Sequence, residues 1–193
     1  FEVPVGGKEW CLVRQESTPL GSGFLGRFGN ETACLVLDRL PAHKIVQISY
    51  DLYIIQSWNG SLASGPGSSE QARLEEPLGP DYFTFQVDGV TWLDTTFSNW
   101  PDALQAFPDF AGVGLHSGQT GASQVNSLGY LWNDLPRDSV YHFNLYLPHT
   151  ASTLRLDFTG RGLQSLDNES WGLDNLIVTT IQEFRLYAPL VVQ

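Results

Sequence analysis

The chain has no methionine and only two cysteines in 193 residues, and it sets 10 basic side chains against 21 acidic ones. Each shortage closes off a class of function. A formal net charge of −11 without any Lys/Arg cluster lacks the basic stripe that phosphate backbones require, so nucleic acid is not an expected partner. The same shortage argues against docking on anionic lipid headgroups. The longest apolar runs, near 52–55 and 188–192, fall far short of the ~20 residues that cross a bilayer, so no membrane insertion is expected. Two cysteines are too few for a structural zinc site, which usually takes four ligands, and no pair of histidines lies beside them. The missing methionine, together with a start at Phe1, reads as a mature form whose signal peptide has been removed. That predicts an extracellular or cell-surface protein.

Helical periodicity is also scarce. Apolar residues recur at period two instead, which is the mark of half-buried strands. In 44–55, Val46, Ile48, Tyr50, Leu52 and Ile54 share one face, while Gln47, Ser49 and Asp51 share the other with Ile45, Tyr53 and Ile55. The first face predicts core and the second a mixed surface. Further strands are expected at 10–13, 33–37, 82–87, 90–93, 140–147, 153–158, 173–181 and 184–192. Asp88-Gly89 marks a hairpin between two of them. Pro101 at an early helical position predicts one short helix near 102–106. Long Gly/Ser/Pro/Asn-rich connections at 60–80 and 111–129 are candidate contact surfaces. With 42% hydrophobic and 12% aromatic residues, the chain can bury one sizeable core. The expectation is a single all-β domain over 1–193, a jelly-roll β-sandwich of two antiparallel sheets with long loops.

Cys11 and Cys34 each sit in a short apolar run. They are read either as one disulfide joining neighbouring strands or as two buried thiols; a bridge would imply an oxidising compartment. Asn30-Glu-Thr, Asn59-Gly-Ser and Asn168-Glu-Ser are potential glycosylation acceptors.

The most specific local feature is Glu169-Ser-Trp-Gly-Leu-Asp-Asn-Leu-Ile-Val178, which places acidic and amide oxygens before an apolar run. Hard cations such as Ca²⁺ need several oxygen ligands, and carboxylates fixed at a strand start can supply them. The alternative is that Asp174 and Asn175 merely cap a turn. Asp81, in Gly79-Pro-Asp, is read as a ligand or as turn chemistry.

Catalysis finds no such support. No Gly-x-Ser-x-Gly elbow occurs, and His43, His116, His142 and His149 read as ordinary surface or strand histidines. The Glu75-Glu76 pair lies in a Pro-flanked loop rather than across a cleft. The chain is not expected to be an enzyme. Trp58, Trp92, Trp100 and Trp132, beside Asn, Asp, Ser or Pro residues, are weighed as a sugar-stacking platform, with Asn59 as a hydrogen-bonding neighbour, against core or rim packing.

Phe1-Glu2, Trp10 and the closing Asp174-Asn175-Leu-Ile-Val, with the phrases Asp51-Leu-Tyr-Ile-Ile-Gln-Ser-Trp-Asn-Gly60, Gly79-Pro-Asp-Tyr-Phe83 and Thr95-Thr-Phe-Ser-Asn99, resemble bacterial extracellular jelly-roll domains. These are the galactose-binding-like and carbohydrate-binding-module β-sandwiches. The resemblance implies a structural Ca²⁺ between the terminal strands. Carried over to this chain, it implies Glu2 and Asp174 as ligands, with Glu169 and main-chain carbonyls completing the shell; Asp81 is an alternative ligand, at the lip of a loop where turn chemistry is the commoner role. Asn175 stands where many relatives have a second Asp. The apolar tail 185–193, with Leu186, Tyr187, Leu190, Val191 and Val192, suits strand addition to a neighbouring copy. The function expected from the sequence is therefore a non-catalytic, calcium-stabilised secreted surface module. It would act in adhesion or in self-assembly into a homopolymer such as a filament or lattice. The alternative is a module that binds surface glycans.

Overall fold

Alternating sequences of this kind bury one face only when another layer covers it, and two antiparallel sheets cover each other here. The computed structural model describes residues 7–61 and 80–182. Its strands are β1 (Gln15–Ser17), β2 (Gly23–Phe28), β3 (Thr32–Leu37), β4 (Ile45–Gln56), β5 (Tyr82–Val87), β6 (Val90–Thr96), β7 (Leu104–Gln105), β8 (His116–Ser117), β9 (Gln124–Val125), β10 (Leu131–Trp132), β11 (Leu135–Pro136), β12 (Asp138–Pro148), β13 (Leu154–Arg161) and β14 (Glu169–Ile181). One sheet runs β1-β2-β14-β4-β12-β9 and the other β3-β13-β5-β6, with two small pairs, β7-β8 and β10-β11. All pairings are antiparallel, and no helix occurs among the described residues.

The core lies between the two sheets and follows the predicted face of β4. Val46, Ile48, Tyr50, Leu52 and Ile54 pack with Trp171 and Leu173 of β14, Phe83 and Phe85 of β5, and Leu156 and Phe158 of β13. Burying each such side chain contributes about 1.5–3 kcal/mol. The second face of β4 is mixed, as its sequence predicts. Tyr53 and Ile55 join Phe24, Val140, Leu128 and Tyr130 in a smaller cluster under the 126–137 segment. Nearer the N-terminal end of β4 the same face carries half-buried polar residues. Between β5 and β6, Asp88 and Gly89 have φ of 50° and 77°, the left-handed values that a two-residue Asp-Gly hairpin needs.

Cys11 and Cys34 form a disulfide. The bridge is compatible with an oxidising compartment. The two cysteines are 23 positions apart, and closing this loop in the unfolded chain accounts for about 3 kcal/mol of stabilisation. Strand structure at 10–13 is confined to a bridge between Trp10 and Leu35, with Cys11 N–H donating to the Cys34 carbonyl at 2.9 Å.

Two further expectations are corrected. Residues 102–106 form no helix: the chain turns once, with Ala103 N–H donating to the Trp100 carbonyl, and Leu104–Gln105 then pairs with β8. Gln105 draws the segment into the sheet arrangement, its buried amide oxygen accepting from Ser98 N–H and Gln119 N–H. The 111–129 connection is not a free loop. It is tied down by Gly118 N–H to the Ala103 carbonyl and Ser123 N–H to the Val140 carbonyl. The last predicted strand, 184–192, and most of the 60–80 connection lie outside the described residues.

Candidate cation site

Strand β14 begins at Glu169, four residues earlier than the apolar pattern suggests, so Glu169 and Asp174 stand on one continuous strand. Five residues at about 3.3 Å each separate their Cα atoms by roughly 16 Å, and odd spacing puts the side chains on opposite faces. Glu169 shares the face of Trp171 and Leu173, towards the main core, whereas Asp174 lies on the face of Tyr53. These two carboxylates do not share an ion. Glu2, the other terminal ligand implied by the family resemblance, lies outside the described residues.

What the fold brings together instead is Asp81 and Glu169, with Asn59 between them. Asn59 follows the buried Trp58 out of β4, and its main-chain N–H donates to Asp81 Oδ2. Its side-chain Nδ2 donates to Glu169 Oε1 at 3.0 Å. Gln164 N–H donates to Glu169 Oε2 at 2.8 Å, and Asp81 N–H returns a bond to the Gly60 carbonyl at 3.0 Å. Gly60 has φ of 76°, and a Cβ there would collide with the Leu104 carbonyl, so the turn that aims these amides needs glycine. Asp81 and Glu169 are both fully buried.

Asp81 Oδ1 is the exception to this pairing: it is buried and accepts no hydrogen bond. A buried oxygen of an ionised carboxylate without a partner is costly. Burial pushes the Asp81 carboxyl from 3.8 up to about 7, against the opposing pull of the Asn59 and Gly60 amides. Two chemistries relieve it, a proton or a cation. Oxygen ligation by Asp81 and Glu169 fits a hard cation in kind. Among the described residues no group of three or more His, Cys, Asp or Glu side chains is assembled to hold an ion. A complete Ca²⁺ shell of six to eight oxygens therefore needs main-chain carbonyls, water or other residues besides these two.

Asp174 sits in a different setting. Its Oδ2 accepts from Tyr53 Oη at 2.9 Å and its Oδ1 from Asn175 N–H at 2.8 Å. The paired Asp51 accepts from Asn175 Nδ2 at 2.7 Å and lies 2.7 Å from His142 Nδ1. Asn175 adopts φ of 52° at a break in register between Asp174 and Ile177, a conformation Asn tolerates better than most residues.

The proposed sugar platform is dispersed. Trp58 is fully buried against Phe97, with Nε1 donating to the Ser170 carbonyl, so neither it nor the buried Asn59 can meet a glycan, and Asn59 cannot be a glycosylation site as folded. Trp100 donates from Nε1 to the Ser57 carbonyl and carries the Arg137 guanidinium 4.3 Å above its ring. Trp132 is half-buried in the β10-β11 pair. Trp92, at the break in register between β5 and β6, is 41% exposed. The assembly residues Leu186, Tyr187, Leu190, Val191 and Val192 lie outside the described residues. Sequence reasoning missed Asn59 as the hub of the acid pair and Gln164 as a donor to it. Nothing in the local pattern marks either residue, because the contacts join segments more than 100 residues apart for Asn59 and run through the main chain for Gln164.

Comparison with family models, with curated proteins and with solved structures yields no match in any of the three.

Proposed function

We propose that the chain is a non-catalytic, secreted surface module of jelly-roll type, stabilised by Ca²⁺ and acting in adhesion or self-assembly. The observation that carries the calcium part is Asp81 Oδ1, a buried carboxylate oxygen with no donor, beside a second buried carboxylate. Asp81 and Glu169 hold the ion, supplying the charge that a hard cation requires. Joining the loop after β4, the start of β5 and the start of β14, it stabilises the folded form by mass action. The contact surface we favour is the rim formed by Val113 and Leu115, exposed to 77% and 60%, around a depression of about 540 Å³ bounded by Ser61, Tyr82 and Thr96. Exposed apolar side chains grouped around a concavity favour a protein contact.

Electron microscopy and light scattering with Ca²⁺ and after chelation test assembly. Polymers lost on deleting residues 186–193 support a structural subunit; monomers throughout, unaffected by the deletion, refute self-assembly.

Glycan binding is the second reading, and Trp92 favours it. Its four-stranded sheet carries a shallow depression of about 390 Å³ floored by Thr84, Gln86, Thr91 and Arg161. Arg161 is neutralised there by Asp94, a floor suited to an uncharged, hydroxyl-rich ligand. Glycan-array signals lost in Trp92→Ala and kept in Trp132→Ala support this site; signals unaffected by Trp92→Ala refute it.

A further inference from the structure

Three segments from the two sheets meet in a chain of ring nitrogens at the end of the molecule where β4 begins and β12 finishes. His43, just before β4, is buried, and its Nδ1 lies 2.6 Å from the Pro41 carbonyl. Its Nε2 lies 2.6 Å from Nδ1 of His149, just after β12, and the two ring planes are within 12° of each other with centroids 4.9 Å apart. The His149 side chain is 7% exposed, and its Nε2 lies 3.1 Å from Oδ2 of Asp88, in the hairpin of the opposite sheet. That last contact has the separation of an ion pair without the alignment of a hydrogen bond.

Counting protons along this chain decides its charge. A carbonyl only accepts, so His43 Nδ1 must carry hydrogen. Between His43 Nε2 and His149 Nδ1 one hydrogen must sit, whichever ring owns it. If both rings are neutral, those two hydrogens exhaust the supply, and His149 Nε2 turns a bare lone pair towards the Asp88 carboxylate. A third ring proton converts that contact from repulsive to attractive, and the pair then holds one positive charge against Asp88. The other Asp88 oxygen is occupied by Arg155 N–H at 2.8 Å. Arg155 turns its guanidinium to Asp157, and Lys44 meets His149 through its main-chain carbonyl. Of these charged groups Asp88 alone touches the rings.

We propose that His43, His149 and Asp88 form a proton-operated clasp that closes this end of the two sheets when the histidine pair holds one extra proton and loosens when that proton leaves. The clasp is independent of the cation site and of the proposed function.

Its test uses the full chain with Asp81→Asn in the background, so that the Asp81 carboxyl contributes nothing to the pH response. Ring nitrogen NMR at about pH 6 should count three N–H groups over His43 and His149. Between about pH 5 and about pH 9 the melting temperature should fall by about 2–4 °C more in this protein than in Asp88→Asn or His149→Gln, the shift that 1 kcal/mol produces in a chain of this size. Subtracting these variants cancels the contributions of His116 with Asp109 and His142 with Asp51. Asp88→Asn keeps an acceptor for Arg155 N–H, so it leaves the hairpin intact. Two ring protons rather than three, with parallel melting profiles in all the proteins, would overturn the clasp.

Discussion

Two acidic pairs each include one residue of β14, and they differ in what surrounds each oxygen. At Asp51 and Asp174, on the outer face, each carboxylate oxygen has a partner from Tyr53, Asn175 or His142. At Asp81 and Glu169, inside the molecule, three oxygens accept hydrogen bonds and Asp81 Oδ1 accepts none. Carboxylates stand in both places. Availability for a new ligand is set by whether the fold has already spent the lone pairs.

The largest test of this contrast is pH in the metal-free protein. The folded Asp81 carboxyl, at about 7, binds a proton that the unfolded chain releases near 3.8. Between those values the native state holds more protons, so stability falls as pH rises, by a total on the order of 4 kcal/mol, and levels off above about pH 7. Urea denaturation between pH 4 and 8 should show this slope in chelator and lose it in saturating Ca²⁺, where the ion replaces the proton. A slope that Asp81→Asn leaves in place would break the comparison.

Glu169→Ala removes the acceptors of Asn59 Nδ2 and Gln164 N–H in a sealed site and should cost about 3 kcal/mol by urea denaturation, against about 2 kcal/mol for Asp174→Ala, which removes the acceptor of the Tyr53 hydroxyl. Calcium sharpens the contrast further. Added to demetallated protein at about 100 times its Kd, it should contribute about 2.7 kcal/mol, read as a rise in Tm. Asp81→Asn should abolish that rise and Asp174→Asn should preserve it. Smaller still, Tyr50→Phe should raise stability by about 1 kcal/mol. The Tyr50 hydroxyl is a buried polar atom without a partner and has no carboxylate to make it a ligand, so removing it only gains. At the bottom of the scale, His142→Ala should change stability by about 0.5 kcal/mol, because its pairing with Asp51 is open to water.

Much of the fold was legible because short-range rules determine it. The inward set of β4 and the Asp88-Gly89 hairpin follow from period-two spacing and from left-handed turn chemistry, and both need only neighbouring residues. The disulfide was one of two readings that the cysteine count left open. The short helix failed because Pro101 starts a helix only when the next turn can continue it, and here Gln105 is engaged by main-chain amides from Ser98 and Gln119. The cation ligands were legible one at a time but not as a set. Once β14 is known to run unbroken from Glu169, parity alone separates that residue from Asp174. Parity does not reveal that Asp81 comes to the same place by way of Asn59. The burial of Trp58 was equally hidden, since a tryptophan beside Asn and Gly reads the same whether the chain turns inward or out.

β4 has consequences for the order in which the molecule comes apart. Near Tyr53 and Ile55 the strand is covered on both faces, by the main core and by the Phe24, Val140 and Tyr130 cluster. Near Ile45 it is covered on one face only and rests on the histidine contacts beyond its end. A single strand therefore spans a gradient of protection. Amide hydrogens at 52–55 should exchange only with global unfolding, while those at 45–49 open in smaller excursions. The end closed by His43 and His149 is where fraying begins, and the end that holds Asp81 and Glu169 is the last to let go.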